Sequence, residues 1–263
     1  MPRKVLNIFL PALTGVFVIA AWYLVRFLLI EDWKFILPTP GEIVIAFQQN
    51  HVALTRAALN TSEGALLGFG LAVVVSCTAS LAMSLSPWVR FSLYPYLMAM
   101  QLTPLPVLAP ICVLWVGAGL KSVSLLTFLI AFFPLAVNTT QGLISTDRNL
   151  VELFRMWRAT PLQELLFLRV PGALPYFFTG LRIAGILAPI GAVVADMNAG
   201  SSANDGGGLG FQAIIYSSQA KFPALFATAA TTCVLGFIFT AGVLTLSWVA
   251  LHQWHDSYER TDK

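Results

Sequence analysis

The residues whose types and spacing could do work in this chain gather between two long apolar runs. Leu150, Leu153, Phe154 and Trp157 recur at the i, i+3, i+4, i+7 spacing of one helix face. Ser145, Thr146 and Asp147 stand ahead of them as cap candidates. A second helix start follows at Thr160-Pro161-Leu162-Gln163, with Thr at the cap, Pro at the first helical position and Gln at the third. Leu162, Leu165 and Leu166 then give a short apolar face, and Pro171 is expected to end the helix. The pattern predicts helix, turn, helix over 145–171, with apolar anchors set among Glu152, Arg155, Arg158, Glu164 and Arg169. Such a pair can lie on a membrane surface, or form a knob that a soluble partner grips through apolar anchors ringed by charge. Rigid linkage to the next apolar run would let a partner's motion move it.

Other polar groups sit inside the apolar stretches, where they are costly and often functional. Gln101, Asn138 and Gln141 are candidates to line a path; the alternative is a satisfied hydrogen bond between helices. Pro104 and Pro110, with Pro95 and Pro106, weaken one run, because each ring removes a donor and clashes one turn back. They make either a static bend or a flexing gate beside the path. Gly64-Ala65-Leu66-Leu67-Gly68 is a GxxxG match that asks for close helix packing, within this chain or against a second copy. Glu63 and Asp196 are expected at ends that water can reach, and Arg182 near enough to an end to snorkel. His51, His252 and His255, with Trp248 and Trp254, read as interfacial. Cys77, Cys112 and Cys233 are scattered in apolar runs and read as small buried hydrophobes. Neither a phosphate-binding G-x-x-x-x-G-K-[ST] loop, a G-x-S-x-G elbow nor an H-E-x-x-H helix occurs. Any nucleotide hydrolysis therefore belongs to another chain, and no metal or cofactor site is expected.

The elements that carry these residues follow from composition. In 263 residues, 57% are hydrophobic and 10% charged, with a mean hydropathy of +0.79. An average soluble domain is about 25% charged, so a water-soluble enzyme is excluded, and so is a disordered chain. A net charge of +3 is too small a surplus to argue for nucleic acid. About 20 apolar residues of helix span a bilayer. Runs of that length fall at 5–30, 64–85, 91–116, 122–141, 174–195 and 222–251, giving an all-α polytopic membrane protein of about six spans. The first run is too long for a signal peptide and reads as retained. With the N-terminus inside, the inner segments hold Arg3, Lys4, Arg90, Arg148, Arg155, Arg158, Arg169, Arg182, Arg260 and Lys263. The outer ones hold Arg26, Lys34, Arg56, Lys121 and Lys221, so both termini and the 145–171 loop are expected in the cytoplasm. Leu37-Pro38-Thr39-Pro40-Gly41 reads as a rigid turn before an interfacial helix from about Glu42, and 196–221 as a flexible outer loop. The organisation is a first helix in 1–36, a core in 37–255 containing the 145–171 loop, and a tail in 256–263.

At the loop the sequence becomes recognisable. Glu152-Leu153-Phe154, then Arg158, then Leu168-Arg169-Val170-Pro171 resembles the EAA loop of permeases of ABC importers, E-A-A, three residues, G, nine residues, I-x-L-P. Glu152 and Pro171 match with the full spacing kept; Phe154 stands where the pattern has Ala, and Arg158 where it has Gly. Gly tolerates a positive φ and Arg does not, so the turn between the helices is where departure is expected. Leu37-Pro38-Thr39-Pro40, the run from Pro104 to Leu114-Trp115-Val116-Gly117-Ala118-Gly119, Gly180-Leu181-Arg182-Ile183-Ala184, Gly208-Leu209-Gly210 and Trp254-His255-Asp256-Ser257 also resemble that family, in order. The resemblance points to the branch importing nitrate, sulfonates and taurine, or a pyrimidine precursor of thiamine and riboflavin, with a lean to the last two. It implies a type I importer fold in a bacterial inner membrane, two ATP-binding subunits docked on the loops, an extracytoplasmic solute-binding protein and a second permease copy. The rival readings are an ATP-independent secondary transporter or channel, which would show an inverted repeat, and a membrane enzyme, which would show catalytic groups within the spans.

Overall fold

The computed structural model describes residues 3–199 and 207–252, and among them every regular element is helical. The expected membrane anchor Trp254, His255, the closing Trp254-His255-Asp256-Ser257 run, Arg260, Lys263 and the tail 256–263 lie outside the described residues, as do Gly200 to Gly206. Helix α1 covers Arg3–Leu28, α2 Pro40–Leu85, α3 Pro87–Met100, α4 Leu105–Val116 and α5 Leu120–Ile144. Then come α6 (Arg148–Met156), α7 (Pro161–Glu164), a π-helical turn (Leu165–Arg169), α8 (Val170–Ala199), α9 (Leu209–Ser218) and α10 (Phe222–His252). Five helical stretches are long and apolar enough to cross a membrane: Phe9–Leu28, Pro40–Leu85, Leu120–Ile144, Pro161–Ala199 and Phe222–Ala250.

Three expectations change. The expected third span, 91–116, is two shorter helices, α3 and α4, broken at 101–104. Pro104 stands there as the N-cap of α4 with an extended ψ of 125°, and a proline pushes the residue before it out of helical backbone. The interfacial helix and the second span are one unbroken α2 of 46 residues, about 69 Å long at 1.5 Å per residue. Its start follows the sequence: the Thr39 hydroxyl accepts from the Glu42 N–H at 3.2 Å, and the Glu42 carboxylate accepts from the Thr39 N–H at 2.8 Å. Finally, the segment expected to be a flexible outer loop contains α9, whose Leu209 and Tyr216 are buried against α2 and α10. Burial there pushes the Tyr216 phenol pKa up.

α5 runs through the centre, between α2 and α8. Ala65, Leu126, Ile130, Ala192 and Ala195 form one buried cluster across these three helices. The GxxxG pair works within this chain: a Cβ on Gly64 would lie 2.5 Å from Val123 Cγ1, and one on Gly68 2.5 Å from the Ser124 carbonyl oxygen. No other residue type lets α2 and α5 cross so closely. The turn from α4 into α5 uses Gly117 and Gly119 at φ of 84° and 92°, backbone that side chains resist. α1 leans on the rest near its end. Arg26 donates to the Lys34 carbonyl at 3.3 Å and pairs with Glu42 at 3.4 Å, and Trp22 donates to the Pro38 carbonyl at 3.0 Å.

The other end of α8 is fixed by a carboxylate that the sequence placed in water. Asp196 is buried, accepting from the Thr61 hydroxyl of α2 and from the Gly210 backbone N–H. Thr61 in turn accepts from the Leu209 N–H at 2.9 Å. A Cβ on Gly208 would fall 1.9 Å from Asp196 Oδ2, and one on Gly210 2.1 Å from the Val193 carbonyl. The Gly208-Leu209-Gly210 run thus brings backbone against a buried acid, closing the start of α9 onto α8.

Candidate functional site

The loop between α5 and α8 folds as helix, turn, helix. Asp147 caps α6, its carboxylate accepting from the Asn149 N–H at 2.8 Å. Glu152 pairs with Arg148 one turn earlier at 3.7 Å, both exposed. Trp157 is the C-cap, and the chain then closes with a Schellman pattern: Ala159 N–H donates to the Phe154 carbonyl at 3.0 Å and Arg158 N–H to the Arg155 carbonyl at 2.9 Å. The position between them must be left-handed, and Arg158 takes it, at φ 56°. The turn therefore takes left-handed backbone with Arg in a place that favours Gly. The satisfied carbonyls over-determine the backbone against a cost of about 1 kcal/mol.

The second helix starts at the expected capping box. The Thr160 hydroxyl accepts from the Gln163 N–H at 3.3 Å, and Gln163 Oε1 accepts from the Thr160 N–H at 2.8 Å, with Pro161 next in the chain. Pro171 does not end this helix. The backbone continues without a break from Pro161 to Ala199 through the π turn, in which Val170 N–H bonds to the Leu165 carbonyl. An i→i+5 turn just ahead of the proline rearranges the ladder where Pro171 supplies no donor.

The π turn also makes a contact that spacing did not reveal. Glu164 and Arg169 are five apart, which on an α-helix sets them about 140° from alignment; the wider turn brings them together. Arg169 Nε donates to Glu164 Oε1 at 2.9 Å and Nη2 to the same oxygen. Arg155 of α6 lies 3.8 Å from the other oxygen, and Arg169 Nη1 reaches the Ser84 carbonyl at the end of α2 at 3.5 Å. Glu164 is buried, with its side chain 10% exposed. This carboxylate ties α6, α8 and α2 into one unit, and Leu165 packs with Leu143 and Ala173 beneath it. An acid inside a leucine run was the available signal.

The outer side of the elbow is apolar and open. Trp157 is 82% exposed, Phe167 71% and Met156 81%, and Leu150, Leu153, Leu162 and Leu166 are exposed as well. Leu153, Phe154, Trp157, Ala159, Gln163 and Phe167 line a concavity of about 660 Å³. Large apolar side chains held on a clamped, charged frame are what a partner's groove or ridge engages.

Residues 64–257 match the family described as "Binding-protein-dependent transport system inner membrane component". The chain belongs to this family. It is a multi-pass inner-membrane permease subunit for a small nutrient. The formylaminopyrimidine transport permease protein ThiX of Halalkalibacterium halodurans is 36% identical over 82% of this chain and 85% of its own length. The riboflavin transport system permease protein RibX of Chloroflexus aurantiacus is 34% identical over 76% and 74%. The taurine transport system permease protein TauC of Escherichia coli is 31% identical over 72% and 67%.

The permease does not gather the five path candidates around any cavity described here. Gln101 and Pro104 are exposed in the break between α3 and α4, and Pro110 is exposed on α4. Asn138 and Gln141 lie one turn apart on α5. Asn138 is half-buried and donates one amide hydrogen to the Pro134 carbonyl one turn back on α5 at 2.8 Å; Gln141 is exposed.

Proposed function

We propose that the permease is driven by two ATP-binding subunits, each docking on the 145–171 elbow of one copy in a homodimer. The observation that carries this is the apolar face of Met156, Trp157 and Phe167, held out on a frame that Glu164 fastens to α2 and α8. Force applied to that face passes into an uninterrupted helix of 39 residues, Pro161–Ala199. Closure of the ATP-binding pair would draw two elbows together and tilt these helices, opening and closing a path beside α3, α4 and α5. Gln101, Pro104, Pro110, Asn138 and Gln141 are the path residues of this reading, and Glu152, Leu153, Phe154, Arg155, Trp157, Arg158, Thr160, Pro161 and Pro171 its coupling residues. The elbow and both termini face the cytoplasm, and a solute-binding protein delivers cargo on the other side. We place the cargo among pyrimidine precursors and flavins, supported by the identities to ThiX and RibX.

The test replaces Trp157 and Phe167 with Ala together. The expected result is loss of co-purified ATP-binding subunit and of ATP-driven uptake, by at least about tenfold, with unchanged thermal unfolding. Retention of both would sink the docking reading, and uptake by purified permease without nucleotide would favour the secondary transporter instead. Competition of labelled formylaminopyrimidine uptake by riboflavin and by taurine separates the cargo classes.

A further inference from the structure

A second cavity, about 440 Å³, opens beneath the elbow, where α2 ends and α3 begins. Arg90, Arg155 and Arg169 line it against one carboxylate, Glu164, so it carries a surplus of two positive charges. Glu164 is already engaged by Arg169 and Arg155. Arg90 has no carboxylate within ion-pair distance among the described residues; its guanidinium lies 5.3 Å from the centre of the Phe91 ring. Ser84, also in the lining, is 9% exposed, and its hydroxyl oxygen is buried with no hydrogen-bond partner among the described residues. A buried hydroxyl without a partner and a guanidinium without a carboxylate share one cavity, and an anion with several acceptor oxygens would engage both.

The rim decides the source of that anion. Leu85, Trp88 and Phe91 are exposed beside the cavity, Trp88 by 87%. In a membrane chain such a band meets acyl chains, and Trp favours the level of the headgroups. Ser84 lies 23 residues beyond Thr61 on α2, about 35 Å along the helix and close to the thickness of a bilayer core. We propose that this cavity holds the phosphate of an anionic phospholipid headgroup, with the lipid tails along Leu85, Trp88 and Phe91. The headgroup would then compete with Glu164 for Arg155, the longer of the two ion pairs, and so adjust how tightly the elbow is tied to α2. The inference needs only the membrane-spanning fold and does not depend on ATP-binding subunits docking.

Native mass spectrometry of the delipidated full-length chain tests it, with phosphatidylglycerol and phosphatidylcholine of identical tails competing and inorganic phosphate in a separate arm. The expected result is retention of phosphatidylglycerol over phosphatidylcholine by about fivefold or more, from about one basic contact's worth of attraction. Arg90→Gln should bring the two lipids close to parity and Arg90→Lys should restore much of the difference, with unfolding temperatures unchanged in both. Parity in the unaltered chain, or a full preference surviving in Arg90→Gln, overturns the site. Displacement of the lipid by millimolar phosphate would assign the cavity to a soluble anion and overturn the lipid source. A dependence on Arg90 seen only after adding the ATP-binding subunit would assign it to a partner's carboxylate instead.

Discussion

Two buried carboxylates fasten the same 39-residue helix at its two ends, by different chemistry. Glu164 is held by two guanidinium groups, Arg155 and Arg169, beside an open cavity and an exposed apolar elbow. Asp196 is held by a hydroxyl and a backbone N–H, with glycine backbone pressed against it. The first joint uses long flexible side chains and charge, which can change partners without rebuilding the core. The second leaves no room for even one added carbon, and close-packed interiors deform in steps rather than smoothly. The adjustable joint lies at the elbow end of this helix and the fixed joint at the end that meets α9.

Removing one joint at a time should separate the two. Glu164→Ala takes the carboxylate away from the part-buried Arg169 and from the exposed Arg155 and is expected to cost about 3 kcal/mol, read as a large fall in unfolding temperature of the detergent-solubilised chain. Glu164→Gln should recover part of it. A fall no larger than that of an exposed substitution would mean that the charge joint carries no load. Thr61→Val removes one donor to Asp196 and the acceptor for the Leu209 N–H, and should cost about 2 kcal/mol. Hydrogen exchange should then rise at the start of α9 and stay unchanged in α6; a rise in α6 would show that the ends are not independent.

The smallest effect sharpens what the two ends share. Both α6 and α9 close with a non-glycine residue in left-handed backbone, Arg158 at φ 56° and Ala220 at φ 54°. Arg158→Gly and Ala220→Gly should each raise stability, by about 0.5–1 kcal/mol, since glycine relieves the left-handed cost and gives back part of the gain as chain entropy. A loss of stability at 158 with a gain at 220 would show that the Arg158 side chain does more than occupy the turn.

Features that depend on near neighbours in sequence were legible. The capping pair of Thr160 with Gln163 needs only three residues of separation, and it forms. The apolar runs had to become helices, because backbone polar groups in lipid must bond within the segment. The apolar face of 150–157 followed from periodicity alone.

Only the tertiary structure decided which groups leave water. Asp196 read as a solvated charge and Glu164 as one of the charges set among the elbow's anchors, because their partners are far off in sequence or out of helical phase: Thr61 is 135 residues from Asp196, and Arg169 meets Glu164 only through a π turn. The GxxxG pair asked for a close neighbour and could not name Val123 and Ser124 of α5. Local chemistry fixes where a helix starts and which face is apolar; burial is set by what the rest of the chain brings to that face.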